Sequence, residues 1–144
     1  GGVEHRIEFC GEINGVKYYN DSKGTNTDAA ITAIKAIEKN IILIAGGDAK
    51  EQDFSEFAKL LKGKVKTLIL LGRDGNMIRD AAYRQGFVDC VYCKNMDECV
   101  AKANEIAVSG DTVLLSPACA SWDMYDNYEQ RGCHFKDNVA RLVK

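Results

Sequence analysis

The sequence predicts an α/β domain with a mostly parallel twisted sheet, helices on both faces and an N-terminal β-hairpin at one edge. Three observations predict it. The runs IILIA (41–45), VKTLILL (65–71) and TVLLS (112–116) are largely apolar, as in strands covered on both faces. Between them, apolar residues recur at the i, i+3, i+4 spacing of helices. Ahead of this alternation, two β-rich runs flank Asn14-Gly15, the strongest short hairpin signal.

The elements follow in order. HRIEFCGEINGVKYYND forms the hairpin. DAAITAIKAI carries a helical stripe of Ala30, Ile31, Ile34 and Ile37, with Thr25 or Asn26 as its cap. IILIA is a buried strand ending in Gly46-Gly47. Phe54, Phe57, Ala58 and Leu61 mark a second helix, and VKTLILL a second buried strand. Met77, Ile78, Ala81 and Ala82 carry a third helix, closed by Gly86. CVYC (90–93) reads as a short buried strand, and Met96, Cys99, Val100, Ala103, Ile106 and Ala107 as a fourth helix. Ser109-Gly110-Asp111 turns into the last strand, and Tyr128, Phe135, Val139 and Leu142 place a final helix. Strands alternating with helices require right-handed crossovers and a parallel, Rossmann-like sheet. No repeat, linker or low-complexity segment divides residues 1–144, so they form a single domain.

Composition limits the function. Hydrophobic residues make up 46 % of the 144, enough for a core, and 19 basic residues face 21 acidic ones. The net charge of -2 gives no general attraction to nucleic acid or to an anionic membrane. No apolar run approaches the roughly 20 residues of a bilayer-spanning helix. The N-terminus GGVEHRIEF lacks both a signal pattern and an initiating Met, so a fragment of a longer chain is expected. Six cysteines stand at 10, 90, 93, 99, 119 and 133. Cys90-x-x-Cys93 lacks the second pair or suitably spaced histidines of a zinc site, and His5 and His134 are single and remote. All six read as reduced thiols packed as small hydrophobes, with no metal site, and as pointers to the cytoplasm.

In open α/β sheets, ligands bind beyond the carboxyl ends of the strands. Three polar loops fall there: Asn20-Asp21-Ser22-Lys23-Gly24-Thr25-Asn26, Gly46-Gly47-Asp48-Ala49-Lys50 and Ser116-Pro117-Ala118-Cys119-Ala120-Ser121. Glycines permit close backbone approach, and helix N-termini present free N–H groups. Lys23 and Lys50 supply charge, and Thr25 and Ser121 supply hydroxyls, for a small dicarboxylate or a phosphate. Asp21 and Asp48 either orient the lysines or accept from a ribose hydroxyl or an ammonium. Taken singly, each residue reads as a solvated charge or a helix cap; three such loops on one edge read as a site. The phosphate-binding spacings GxxxxGK[ST] and GxGxxG are absent.

YYNDSKGTNTDA, IILIAGGDAK and LLSPACASWDMYDNYEQRGCHF together resemble the C-terminal domain of the D-glutamate-adding Mur ligases, over nearly the whole chain. The resemblance implies a domain of a larger three-domain enzyme. With ATP and Mg2+, such an enzyme joins D-glutamate to UDP-N-acetylmuramoyl-L-alanine for peptidoglycan. Other domains carry the UDP site and the P-loop, so this segment alone is expected to be inactive. It further implies that Thr25 and Lys50 hold the α-carboxylate of D-glutamate. Ser121 and the backbone at Tyr128 hold its side-chain carboxylate, with Asp48 in support. Lys23 contacts the reacting phosphate and carbonyl region, and Asp21 and Arg6 face the nucleotide. Gly24 stands for the usual alanine and is expected to loosen the loop. Thr27 stands for a usual proline and Trp122 for a common aliphatic residue. The alternatives are a stand-alone anion or nucleotide sensor and a structural module.

Overall fold

The computed structural model describes residues 3–142; the two leading glycines, which stand where an initiating Met is lacking, lie outside them. The strands are β1 (Glu8–Ile13), β2 (Val16–Asn20), β3 (Ile41–Gly46), β4 (Val65–Leu71), β5 (Cys90–Tyr92) and β6 (Thr112–Leu115). The helices are α1 (Thr27–Ile37), α2 (Ser55–Lys59), α3 (Gly75–Arg84), α4 (Met96–Ile106) and α5 (Tyr128–Arg141).

The sheet runs β1-β2-β6-β3-β4-β5, and only the β1–β2 pair is antiparallel. Asn14 and Gly15 both take positive φ, at 54° and 80°. A two-residue hairpin turn matching the right-handed strand twist needs that geometry.

Alternation along the central strands divides the core. Ile41, Leu43, Ala45, Leu68, Leu70 and Leu114 face one side, under α1, α2 and α3. Ile42, Ile44, Ile69, Leu71, Val113 and Leu115 face the other, under α4 and α5. Both sets are buried, which is why the stretches 41–45, 68–71 and 113–115 are apolar at every position.

Two expectations change. CVYC is not a buried strand: β5 is a half-buried edge strand with Tyr92 exposed, because the sheet ends there. The cysteines are all free thiols, yet they are not uniformly core residues. Cys93, Cys99 and Cys119 are buried, Cys10 and Cys90 are intermediate, and Cys133 is exposed on α5. Among the described residues no helix is long and apolar enough to cross a membrane.

Candidate functional site at the carboxyl edge of the sheet

Strands β2, β6 and β3 are parallel neighbours, so the loops that leave them emerge side by side. Asn20 pairs with Leu115, and Ile44 pairs with Leu115 from the other side. The three loops are then bonded to one another. The Asp21 N–H donates to the Leu115 carbonyl (2.7 Å), and the Ala118 N–H donates to the Gly24 carbonyl (2.9 Å). Asp48 and Ala120 exchange two backbone hydrogen bonds of 2.9 Å, an isolated antiparallel bridge. Gly47, at φ 135°, permits that approach: a Cβ there would lie 2.6 Å from the Ala120 carbonyl oxygen.

Arg131, on α5, locks the assembly from beneath. It is 2 % exposed. Its Nε donates to the Ser22 hydroxyl (2.9 Å), its Nη2 to the Ser22 carbonyl (2.7 Å) and its Nη1 to the Cys119 carbonyl (3.0 Å). Ser22 Oγ in turn donates to the Tyr128 carbonyl (2.7 Å). Burial pushes the guanidinium pKa down to about 10, so it stays charged at neutral pH. Sequence reasoning missed Arg131; its place on a polar helical face, which reads as solvated, hid it.

One cleft, of about 320 Å3, is lined by Thr25, Ser121, Trp122, Asn127 and Tyr128 among others. Asn127 caps α5 by accepting from the Gln130 N–H (2.8 Å). The N–H groups of Tyr128 and Glu129, in the first turn, have no intrahelical acceptor, and the positive end of the helix dipole faces this cleft. Thr25 therefore meets Ser121 and Tyr128, which lie far along the chain from it, at one place. Trp122 is 61 % exposed on its rim.

A second cleft, of about 210 Å3, is lined by Arg6, Ile7, Asp21, Lys23 and Gly24 together with Ala29 and Thr32 of α1. Arg6 and Lys23 are exposed, whereas Asp21 is buried. Asp21 accepts from the Ile7 N–H (3.1 Å) and the Ser116 hydroxyl (2.7 Å). Burial raises its pKa, against the pull of those two bonds. Gly24, expected to loosen this loop, is buried and bonded at both its N–H and its carbonyl. A Cβ there would lie 2.6 Å from Asp21 Oδ2. The missing side chain accommodates the Asp21 carboxylate instead of freeing the backbone.

Lys50 and Asp48 line neither cleft and stand on the third loop, joined to the first cleft through the Asp48–Ala120 bridge. The Lys50 ammonium lies 4.0 Å from Asp48 Oδ2 and is largely exposed. Arg73, from the loop after β4, donates to Asp48 (2.7 Å) and Asp74 (3.2 Å). Sequence reasoning gave Arg73 no role.

As to metals, Glu4, His5 and Cys133 bring one ligand atom each within 4.8 Å of one another. Asn20 settles how this corner is used. Its carbonyl oxygen accepts from the Ser22 N–H (3.0 Å), so its amide nitrogen faces His5 Nδ1 (2.9 Å). Neutral His5 then carries its proton on Nε2, the atom turned toward Glu4 (3.7 Å), while Lys136 holds Glu4 at 2.8 Å. This is an ion-paired corner whose imidazole lone pair is already engaged.

The comparisons with known proteins agree with this architecture. The family model described as Mur ligase, glutamate ligase domain, matches residues 5–119. A UDP-N-acetylmuramoylalanine--D-glutamate ligase of Thermoanaerobacter sp. (strain X514) is 57 % identical over 143 residues, covering 98 % of this chain and 32 % of the relative. The enzyme of the same name from Alkaliphilus oremlandii is 53 % identical over 141 residues, covering 98 % and 31 %. The chain thus spans about a third of the length of the curated relatives it matches. Among solved structures, a murein peptide ligase from Psychrobacter arcticus superposes with a TM-score of 0.68 at 13 % identity, over 99 % of this chain and 30 % of that one. A domain from a putative UDP-N-acetylmuramate:L-alanyl-gamma-D-glutamyl-medo-diaminopimelate ligase of Haemophilus ducreyi gives 0.57 at 15 % identity, over 96 % and 97 %. These structural likenesses show the fold; the family match and the curated identities show that the chain belongs to the Mur ligase family, as its glutamate ligase domain.

Proposed function

We propose that residues 1–144 are the C-terminal, D-glutamate-binding domain of a three-domain, cytoplasmic, ATP-dependent ligase that adds D-glutamate to UDP-N-acetylmuramoyl-L-alanine in peptidoglycan precursor synthesis. The observation that carries this reading is the convergence of Thr25, Ser121 and the α5 N-terminus on one cleft, beside the loop of Lys50. A dicarboxylate needs two separated donor sets, and this edge offers them. Ser121 and the Tyr128 N–H take the side-chain carboxylate. Thr25 and Lys50 take the α-carboxylate, with Asp48 fixing the backbone of Lys50 through a 3.1 Å hydrogen bond.

In the second cleft, Arg6 and Lys23 present two cationic side chains. They fit one edge of a nucleotide, and Lys23 is the residue assigned to the reacting phosphate and carbonyl region. The carboxylate of Asp21 is committed to Ile7 and Ser116, which makes it an anchor for this cleft and leaves any contact with a ribose to its remaining lone pairs. ATP with Mg2+, held mainly by other domains, supplies the phosphoryl group that activates the acceptor carboxylate. The residues of this chain position the amine of D-glutamate and place positive charge where anionic character grows. On its own the chain is expected to have no ligase activity.

Amide chemical-shift titration of the chain with D-glutamate and with L-glutamate tests the reading. Shifts at Thr25, Lys50, Ser121 and Tyr128 with the D enantiomer are expected. The absence of shifts in these loops at high ligand, or equal response to both enantiomers, counts against it.

A further inference from the structure

Asp48 sits between two cations. Its Oδ1 accepts from Arg73 Nη2 (2.7 Å) and from the Lys50 N–H (3.1 Å), and its Oδ2 lies 4.0 Å from the Lys50 ammonium. The Asp48 side chain is 13 % exposed, whereas those of Arg73 and Lys50 are 61 % and 59 % exposed. Arg73 is itself held in place. Its N–H donates to Asp123 Oδ2 (2.9 Å), and its Nη2 also reaches Asp74 Oδ2, which accepts from the Ala49 N–H (2.8 Å). Backbone and side-chain bonds from neighbouring loops thus fix one guanidinium against the Asp48 carboxylate.

That arrangement partitions charge. A largely buried carboxylate draws the nearest cation, and the attraction rises as the gap shortens. With Arg73 at 2.7 Å, Asp48 is already neutralised, and the Lys50 ammonium stands off at 4.0 Å. Without Arg73, the nearest compensating charge is Lys50, which needs only a side-chain rotation to close. A ligand carboxylate must then compete with Asp48 for the same ammonium. We propose that Arg73 is a positioning residue that keeps Lys50 available to an incoming carboxylate by neutralising Asp48. The proposal rests on the assignment of Lys50 to D-glutamate.

The test compares Lys50→Ala, Arg73→Gln and the double variant Arg73→Gln/Asp48→Asn in the full-length ligase. Arg73→Gln keeps the backbone bond to Asp123. It is expected to raise the D-glutamate KM about tenfold, with kcat and the KM for ATP within about twofold of the parent. The double variant is expected to recover most of the loss, because the neutral amide at position 48 no longer captures Lys50. If Arg73→Gln leaves the D-glutamate KM unchanged while Lys50→Ala raises it, the positioning role is overturned. If Arg73→Gln raises the KM and the second substitution restores nothing, Arg73 merely supports the loop and the proposal is wrong. If Lys50→Ala itself changes nothing, the underlying assignment of Lys50 fails instead.

Discussion

Arg131 grips Ser22 twice, through Nε to its hydroxyl and through Nη2 to its carbonyl, so a helix near the end of the chain holds the loop that follows the hairpin. No carboxylate within ion-pairing distance of Arg131 is seen among the described residues; its partners are two carbonyls and a hydroxyl. The charge is held by dipoles, and the loops depend on it. Replacing Arg131 with Met keeps much of the volume but strands all three acceptors. The expected cost is about 3 kcal/mol of stability. At this chain length that corresponds to a melting temperature lower by roughly 10 °C. Calorimetry checks it, and a melting point within about 2 °C of the parent would contradict the bracing role.

Lys50→Ala addresses the proposed carboxylate site directly. Removing a charged donor from a partly buried ligand carboxylate costs roughly 1.5–3 kcal/mol, which is about a 10- to 150-fold rise in the D-glutamate KM of the full-length ligase. Steady-state kinetics with varied D-glutamate read it out; a KM unchanged within error removes Lys50 from the site.

Asp74 supplies a pH prediction. The Ala49 N–H and the neighbouring Arg73 hold its carboxyl below the usual carboxylate range, which for Asp starts from 3.8. A group whose folded pKa is depressed contributes stability above its unfolded pKa and loses it as pH falls through the folded one. The pin on the Gly46–Lys50 loop should therefore hold throughout the neutral range and release only below the ordinary Asp titration. The amide shift of Ala49, followed from pH 7 downward, should stay flat until that acidic window. A midpoint at or above the ordinary value would show that the bond carries no such weight. Asp74→Asn should shift Ala49 at neutral pH and remove the acid transition.

The cysteines predict a reactivity order. Burial pushes the Cys10 and Cys119 thiols up to about 12, and Cys99 is also raised by burial, so none of them presents a thiolate at neutral pH. Cys133 is exposed. Brief alkylation of the native chain should label Cys133 first, whereas denatured chain should take up six labels. Peptide mass spectrometry distinguishes the sites, and early labelling of Cys119 would contradict its burial.

Much of the fold was legible because periodicity is a local signal. The fully apolar β3 reported burial on both sides, and Asn14-Gly15 reported a turn that few other residue pairs can make. The placement of three loops on one edge was legible as well, since parallel strands point their carboxyl ends the same way. The separation of those loops into two clefts was not. It shows in Lys23 lining one with Arg6 and Thr25 lining the other with Ser121, partners distant in sequence that no spacing encodes. Arg73 and Arg131 were overlooked for the same reason. An arginine in a turn or on a helix looks solvated until its acceptors, supplied by distant loops, are known. The burial of Gly24 against Asp21 likewise needed three dimensions, because a glycine in a polar loop suggests freedom by its chemistry alone.

The strand order carries a consequence for how this chain comes into being. Strand β6, residues 112–115, lies between β2 and β3, so the sheet is joined across its middle by the last of its strands in chain order. Before β6 adds, the hairpin β1–β2 and the trio β3–β4–β5 have no strand pairing in common. Closing that gap is a non-local step, costly in loop entropy and therefore late. The cleft lined by Thr25, Ser121 and Tyr128 takes two of those residues from beyond β6, so it is not complete before that step. Joining the two parts of the sheet and assembling the edge that carries this cleft are therefore one event.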